Sequence, residues 1–390
     1  MTTYLKIVVP FFILHQEPLA KFPAPEKSKI LSQFAGTASS PNPANGDILR
    51  ESRTRWWDGK MAQKGDFAGA GNFASGSQGE QVANINTLQT MPKAELHLHL
   101  GGSFPIDYLF TIASPEQFEV LKNHLDLIAK SISYHEGFKV FPLISQIVNT
   151  EEKIENGVIA LCKALQKDRV VYAEIRTGLR DLGHGFEEYL KAVLRGMQKT
   201  VTHDFNARLL LSLQRSSSIT TARTTVDLAL KYRDQGIAGI DISGDSTLGN
   251  IELLLPELLR AKNHGLSLVV HMGESPKETA QRSVLELLRP QRIGHGVYLS
   301  QEAEEWILDN RIPIEVCLTS SVLVQMINSY DQHPGLNYFR KGHPIVFCTD
   351  DPLIFCTTLS QELQFAHESA GLSLEQVMKI TKESFNYTLK

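Results

Sequence analysis

Cysteine is scarce in this chain. Its 390 residues include four, Cys162, Cys317, Cys348 and Cys356; none falls in the first 161 positions and no CxxC pair occurs. A disulfide framework and a thiolate zinc cluster are therefore not expected, and a reducing compartment fits best. Charge of one sign is lacking as well. Lys and Arg number 39 against 43 Asp and Glu, a formal net charge of -4. Such balance argues against nucleic acid or an anionic membrane as the main partner, while leaving room for a local basic pocket. Long apolar runs are also missing. The opening MTTYLKIVVPFFILHQEP carries one lysine and then eight apolar residues, with no small-residue cleavage site. That run is too short to span a bilayer and reads as a short strand or docking segment, not a signal peptide. The expected location is cytoplasmic.

The chain does hold enough apolar residues, 42% against 21% charged, for one large barrel or two ordinary domains. Two regions differ in character. Residues 1–90 contain GTASSPNPANGD and GDFAGAGNFASGSQGEQ, stretches that bury too little apolar surface to offset chain entropy. A largely irregular or disordered N-terminal extension is expected there, with Trp56 and Trp57 docking on the main body. Residues 91–390 are expected to form the functional domain.

From residue 91 a rhythm begins. Strand-like runs stand at 94–100, 170–176, 207–214, 237–243, 266–273, 292–296, 312–320 and 344–351. Helix-period stretches such as 187–201 and 250–265 alternate with them, and Pro256 starts or kinks the latter. Strand alternating with helix implies parallel strands, and eight such units predict an α/β chain closed as a (β/α)8 barrel of TIM type. Residues 101–169 are too many for one crossover and predict extra helices. No internal repeat is visible.

Polar residues gather where this architecture carries its chemistry, at the C-terminal ends of the strands. The stretch AELHLHLGG places His97 and His99 on one face of the first strand, since residues i and i+2 share a face. An isolated HxH is more often a pair of core histidines than a metal site. Yet strand 5 ends in HMGE, with His271 and Glu274, strand 6 ends at His295, and strand 8 ends in TDD, with Asp350 and Asp351. Three histidines and a carboxylate brought to one barrel mouth suit a zinc ion with N and O ligands.

The stretches MPKAELHLHLGGS, GIDISGD, VVHMGES, RIGHGV, EVCLTSSV and VFCTDDP resemble the adenosine and AMP deaminase family of the amidohydrolase superfamily. The longer DISGDSTLGNIELLLPELLRAKNHG and IEVCLTSSVLVQMINSYDQHPG are most similar to its adenosine-deaminase-like branch, whose members hydrolyse N6-methyl-AMP and related nucleotides. The resemblance runs from about residue 91 to the end of the sequence. It implies one zinc per chain on His97, His99, His271 and Asp350. It implies Glu274, one helical turn past His271, as the donor to purine N1. It also implies His295 and Asp351 as orienting groups for the attacking water, and the Gly244 N–H, where a side chain would obstruct, against the ring. The substrate would be a purine nucleotide or nucleoside, the partners no nucleic acid and no membrane, and the protein a monomer.

Rival readings fare worse. A binuclear amidohydrolase would want a carboxylated lysine at a strand end, and DISGD has none. The other zinc deaminase fold needs a CxxC pair. A scaffold without activity would show eroded ligands. Gly101 occupies the place where nucleoside-specific relatives carry an acidic residue and the nucleotide branch often carries asparagine. Its lack of charge removes a repulsion against a 5′-phosphate, so a purine monophosphate with an N6-alkyl group is expected over free adenosine, the alternative substrate. Arg180 and Arg215, after strands 2 and 3, are the candidate phosphate clamp.

Overall fold

In the computed structural model, residues 86–389 are described. The expected irregular extension, with Trp56 and Trp57, lies almost wholly outside them. Residues 86–90 form a helical turn, and Leu88 in it is buried in the core.

Eight parallel strands follow in chain order: β1 (Lys93–His99), β2 (Val170–Gly178), β3 (Asn206–Gln214), β4 (Ile237–Ser243), β5 (Ser267–Met272), β6 (Arg292–His295), β7 (Ile314–Val316) and β8 (Ile345–Phe347). Each pairs with the next in one sheet. The seam is made just past β8. Asp350 bridges Leu98, its N–H donating to the His97 carbonyl at 2.9 Å while the Asp350 carbonyl accepts from the His99 N–H at 2.9 Å. This is the expected (β/α)8 barrel.

The last two strands are shorter than the sequence pattern suggests. After Val316 the apolar run turns into the helix Leu318–Leu323, because a helix also tolerates an unbroken apolar stretch once it is buried on all sides. Pro256 stands at the start of its helix, Leu255–Asn263, where its missing N–H costs nothing. The 101–169 insertion forms the expected helices: Ile106–Ile112, Pro115–Ile128, Tyr134–Gly137, Val140–Ile147 and Glu151–Lys167. Part of it roofs the C-terminal mouth of the barrel. Among the described residues no helix is long and apolar enough to cross a membrane.

Candidate active site

The barrel mouth opens into a cavity of about 510 Å³, within the range that holds small-molecule ligands. At its base four ligand atoms converge. His97 Nε2 lies 3.2 Å from His99 Nε2, which lies 3.0 Å from His271 Nε2. Asp350 Oδ1 lies 3.4 Å from His97 Nε2 and 3.5 Å from His99 Nε2. A tetrahedral zinc with bonds of 2.0–2.1 Å needs ligand atoms about 3.3–3.4 Å apart. The donor set fits that ion in chemistry, and these four separations are close to that spacing; among the described residues the ligand atoms gather in two overlapping sets, His97, His99 and His271, and His97, His295 and Asp350.

The tautomers fit too. His97 Nδ1 faces Glu315 Oε2 at 2.8 Å, and His271 Nδ1 faces Asp241 Oδ1 at 3.0 Å and the Ile242 carbonyl at 3.1 Å. A carboxylate on Nδ1 fixes its proton and turns the Nε2 lone pair toward the center, the usual outer support of a metal-bound histidine. Burial and the neighboring histidines hold His99 down to about 3, so it is neutral at physiological pH. Burial opposes ionization of Asp350, but the surrounding histidines outweigh it and keep the carboxylate charged.

Above this cluster lie three further acid–base groups, each with one buried atom lacking a hydrogen-bond partner among the described residues. These atoms are Glu274 Oε2, His295 Nδ1 and Asp351 Oδ1. Buried polar atoms are rarely left so, and all three residues line the cavity. Burial pushes the Glu274 carboxyl up to about 7. It also raises Asp351 well above the carboxylate range, helped by the charges of Asp350 and Glu274. His295 Nε2 stands 3.5 Å from Glu274 Oε1, and burial keeps the imidazole neutral.

Local structure explains these placements. His295 and Asp350 adopt φ of +62° and +63°, a left-handed conformation uncommon for such residues and often found where function is built. Glu274 is not on a helical turn, as the sequence suggested, but in a bend after β5. Gly273 there has φ +74°, its N–H donates to Glu278 Oε2 at 2.6 Å, and its carbonyl accepts from the Tyr298 N–H at 2.7 Å. Gly102 makes room for Asp351, since a Cβ on it would lie 1.9 Å from Asp351 Oδ1. Gly102→Ala should therefore displace that carboxyl and cut kcat/KM by about 10²-fold, the cost of misplacing an aligned group by an ångström. Steady-state kinetics on the variant check it; an undiminished rate would show that Asp351 can move freely.

Gly244, with φ +86°, lines the cavity as expected. Of the two arginines, Arg180 lines it and Arg215 does not. Arg215 is buried, donating to the His271 carbonyl and, at 2.6 Å, to Glu278 Oε1, so it braces the β5 end that carries His271 and Glu274. Arg180 spends one nitrogen on the Ser145 carbonyl at 3.0 Å, and its guanidinium lies 5.8 Å from the Tyr189 ring centroid. Asp181 accepts from the N–H groups of Gly183 and Gly185, both at 2.8 Å. The sequence reading passed over Glu315 and Asp241. Each is a lone acid in an apolar strand, IEV and IAGIDIS, and that isolation is the signal that could have found them.

A parallel barrel whose mouth gathers four histidines and three buried carboxyls around one cavity is an enzyme that works from its strand ends. A family model for adenosine deaminase matches residues 92–389. The chain is 34% identical over 314 residues to N6-Methyl-AMP deaminase of Danio rerio, covering 76% of this chain and 90% of that one. It is 28% identical over 303 residues to adenosine deaminase of Clostridium botulinum, covering 74% and 92%. The crystal structure of Arabidopsis ADAL complexed with IMP superposes with a TM-score of 0.72 at 30% identity, covering 78% of this chain and 93% of that chain. Its complex with GMP gives 0.71 at the same identity, covering 78% and 94%. The chain belongs to the adenosine deaminase family, and it is a deaminase.

Proposed function

We propose that this protein hydrolyzes the C6–nitrogen bond of a 6-aminopurine nucleoside monophosphate, N6-methyl-AMP or a close relative. The products are the 6-oxopurine nucleotide and methylamine or ammonia. The observation that carries this reading is the convergence of three imidazole nitrogens and the Asp350 carboxylate beneath a cavity that Glu274 shares. His97, His99, His271 and Asp350 would hold one zinc ion, which lowers the pKa of water to about 7 and so supplies a nucleophile for C6.

The chain's own groups do the rest. Glu274, kept protonated to about neutral pH by burial, donates to ring N1 so that negative charge does not build up there. His295 and Asp351 orient the attacking water and interact with charge developing at C6. The Gly244 backbone lies against the purine, where the absence of a Cβ permits close approach. The aromatic roof of Tyr134, Phe138 and Phe141 supplies apolar surface for the base and its alkyl group.

Arg180 is the candidate for the 5′-phosphate. Asp181 is engaged by its own loop, so the guanidinium keeps its remaining donors for a ligand. Arg180→Ala should lower kcat/KM on the monophosphate by roughly 10–100-fold, the worth of a charge-assisted hydrogen bond, and leave adenosine turnover nearly unchanged. Arg215→Ala, by contrast, should damage both substrates equally, because the brace it provides is common to both. The deciding experiment is a panel of adenosine, AMP and their N6-methyl forms, followed by release of ammonia or methylamine. Preference for adenosine over the monophosphates would place the chain with nucleoside deaminases, as would equal losses on both substrates in Arg180→Ala.

A further inference from the structure

Below the cluster the barrel is filled with charged side chains that the reaction does not use. They form one continuous chain of hydrogen bonds. At the barrel floor Leu389 is buried against Leu210, Ala238 and Val269. Its N–H donates to Glu174 Oε1 at 2.6 Å, and the Tyr172 hydroxyl lies 3.0 Å from both that oxygen and the Leu389 carbonyl. Glu174 Oε2 accepts from Arg292 Nη2, and Arg292 Nη1 donates to the Tyr387 carbonyl at 2.6 Å. Arg292 Nε donates to Glu315 Oε1 at 2.7 Å, and Glu315 Oε2 faces His97 Nδ1 at 2.8 Å. Arg176 supports the same segment from the side, reaching Glu315 Oε2 at 2.5 Å and the Leu96 carbonyl at 2.9 Å.

Glu174, Arg292, Glu315, Arg176 and His97 are all 0% exposed. Charges so buried are costly unless every partner is in place, and low dielectric makes each link stiff. Glu315 therefore cannot be oriented toward His97 independently of Arg292, nor Arg292 independently of Glu174 and the backbone at 387–389. We infer that residues 387–389 are a positioning element for the catalytic center: docked on Glu174 and Arg292 at the barrel floor, they set Glu315, and through it the ring orientation and tautomer of His97 at the mouth. This rests on the reading of His97 as a zinc ligand.

Zinc affinity tests it directly. The full chain is stripped of metal with a chelator and titrated with zinc against a chromophoric competitor, alongside two variants. One lacks Thr388–Lys390. The other is Glu174→Gln, which keeps the volume and an acceptor for the Leu389 N–H but loses the charge that holds Arg292. Both should bind zinc about tenfold more weakly, the lower range for loss of outer support to a metal-bound histidine. Glu315→Gln should do at least the same, and adding Glu174→Gln to it should weaken binding little further, because both act along one chain. Independent, additive effects, or zinc binding within twofold of wild type in Glu174→Gln, would overturn the coupling. If the shortened chain does not fold, Glu174→Gln alone decides. A wild-type protein that takes up no zinc would instead refute the metal reading itself, and the coupling with it.

Discussion

His271→Ala should yield a folded barrel that retains no zinc and turns over substrate at least about 10⁴-fold more slowly, since bulk water with a pKa of 15.7 must then replace a water held near 7. The expectation rests on geometry. His271 Nε2 lies 3.0 Å from His99 Nε2 and completes the three-histidine set His97, His99 and His271, so its loss leaves that set with two donors. Its loss also strips Asp241 of one partner, but Arg176 at 3.1 Å and Ser212 at 2.9 Å still satisfy that carboxylate, so the fold should survive. Metal content by atomic spectroscopy and a rate on N6-methyl-AMP measure the two halves. Full activity in a metal-free preparation would end the zinc reading.

Glu274→Gln separates proton delivery from metal binding. The amide matches the carboxyl in size but carries no transferable proton, and Glu274 is not among the converging donors. Zinc should remain at one per chain while kcat falls by roughly 10²–10⁴-fold, the range for general acid catalysis. The pH profile carries a second signature. With the carboxyl near 7, the protonated form dominates below that pH and is lost above it, so wild-type kcat should decline on the alkaline side. In Glu274→Gln that decline should vanish with the group responsible. A loss below tenfold would mean that another group protonates the ring.

Much of this architecture was legible in the sequence because two periodicities differ so plainly. Runs such as ARLLLSLQ and IAGIDIS alternate with helical stretches, and the order of eight such units leaves few folds. The candidate ligands stand out for a related reason: histidine and aspartate at strand ends are out of place unless something there needs them. What failed was contact information. Arg180 and Arg215 look alike in sequence, each following a strand, yet one reaches the cavity and the other is consumed by Glu278. That pairing joins residues 63 positions apart, and no local pattern announces it. Glu274, three residues after His271, sits in a bend and not on a helical turn because Gly273 takes a positive φ there, which no right-handed helix accommodates. Glu315 and Asp241 went unnoticed because a single acid within an apolar strand gives no spacing to measure.

The seam past β8 would give metal binding at the proposed site a mechanical meaning. Asp350 is at once the residue whose backbone stitches the eighth strand to the first and one of the residues of the proposed metal site. A barrel is only as closed as its last stitch, and β8 itself has three residues. An ion pulling on the Asp350 side chain would cinch that stitch, so occupancy of the site and closure of the hoop become one equilibrium. Whatever binds only the closed form also stabilizes it. Loading with metal should then slow proteolysis and hydrogen exchange along β1 and β8 more than along β3 and β4, which carry none of the candidate ligands, making the ion a clasp for the whole barrel.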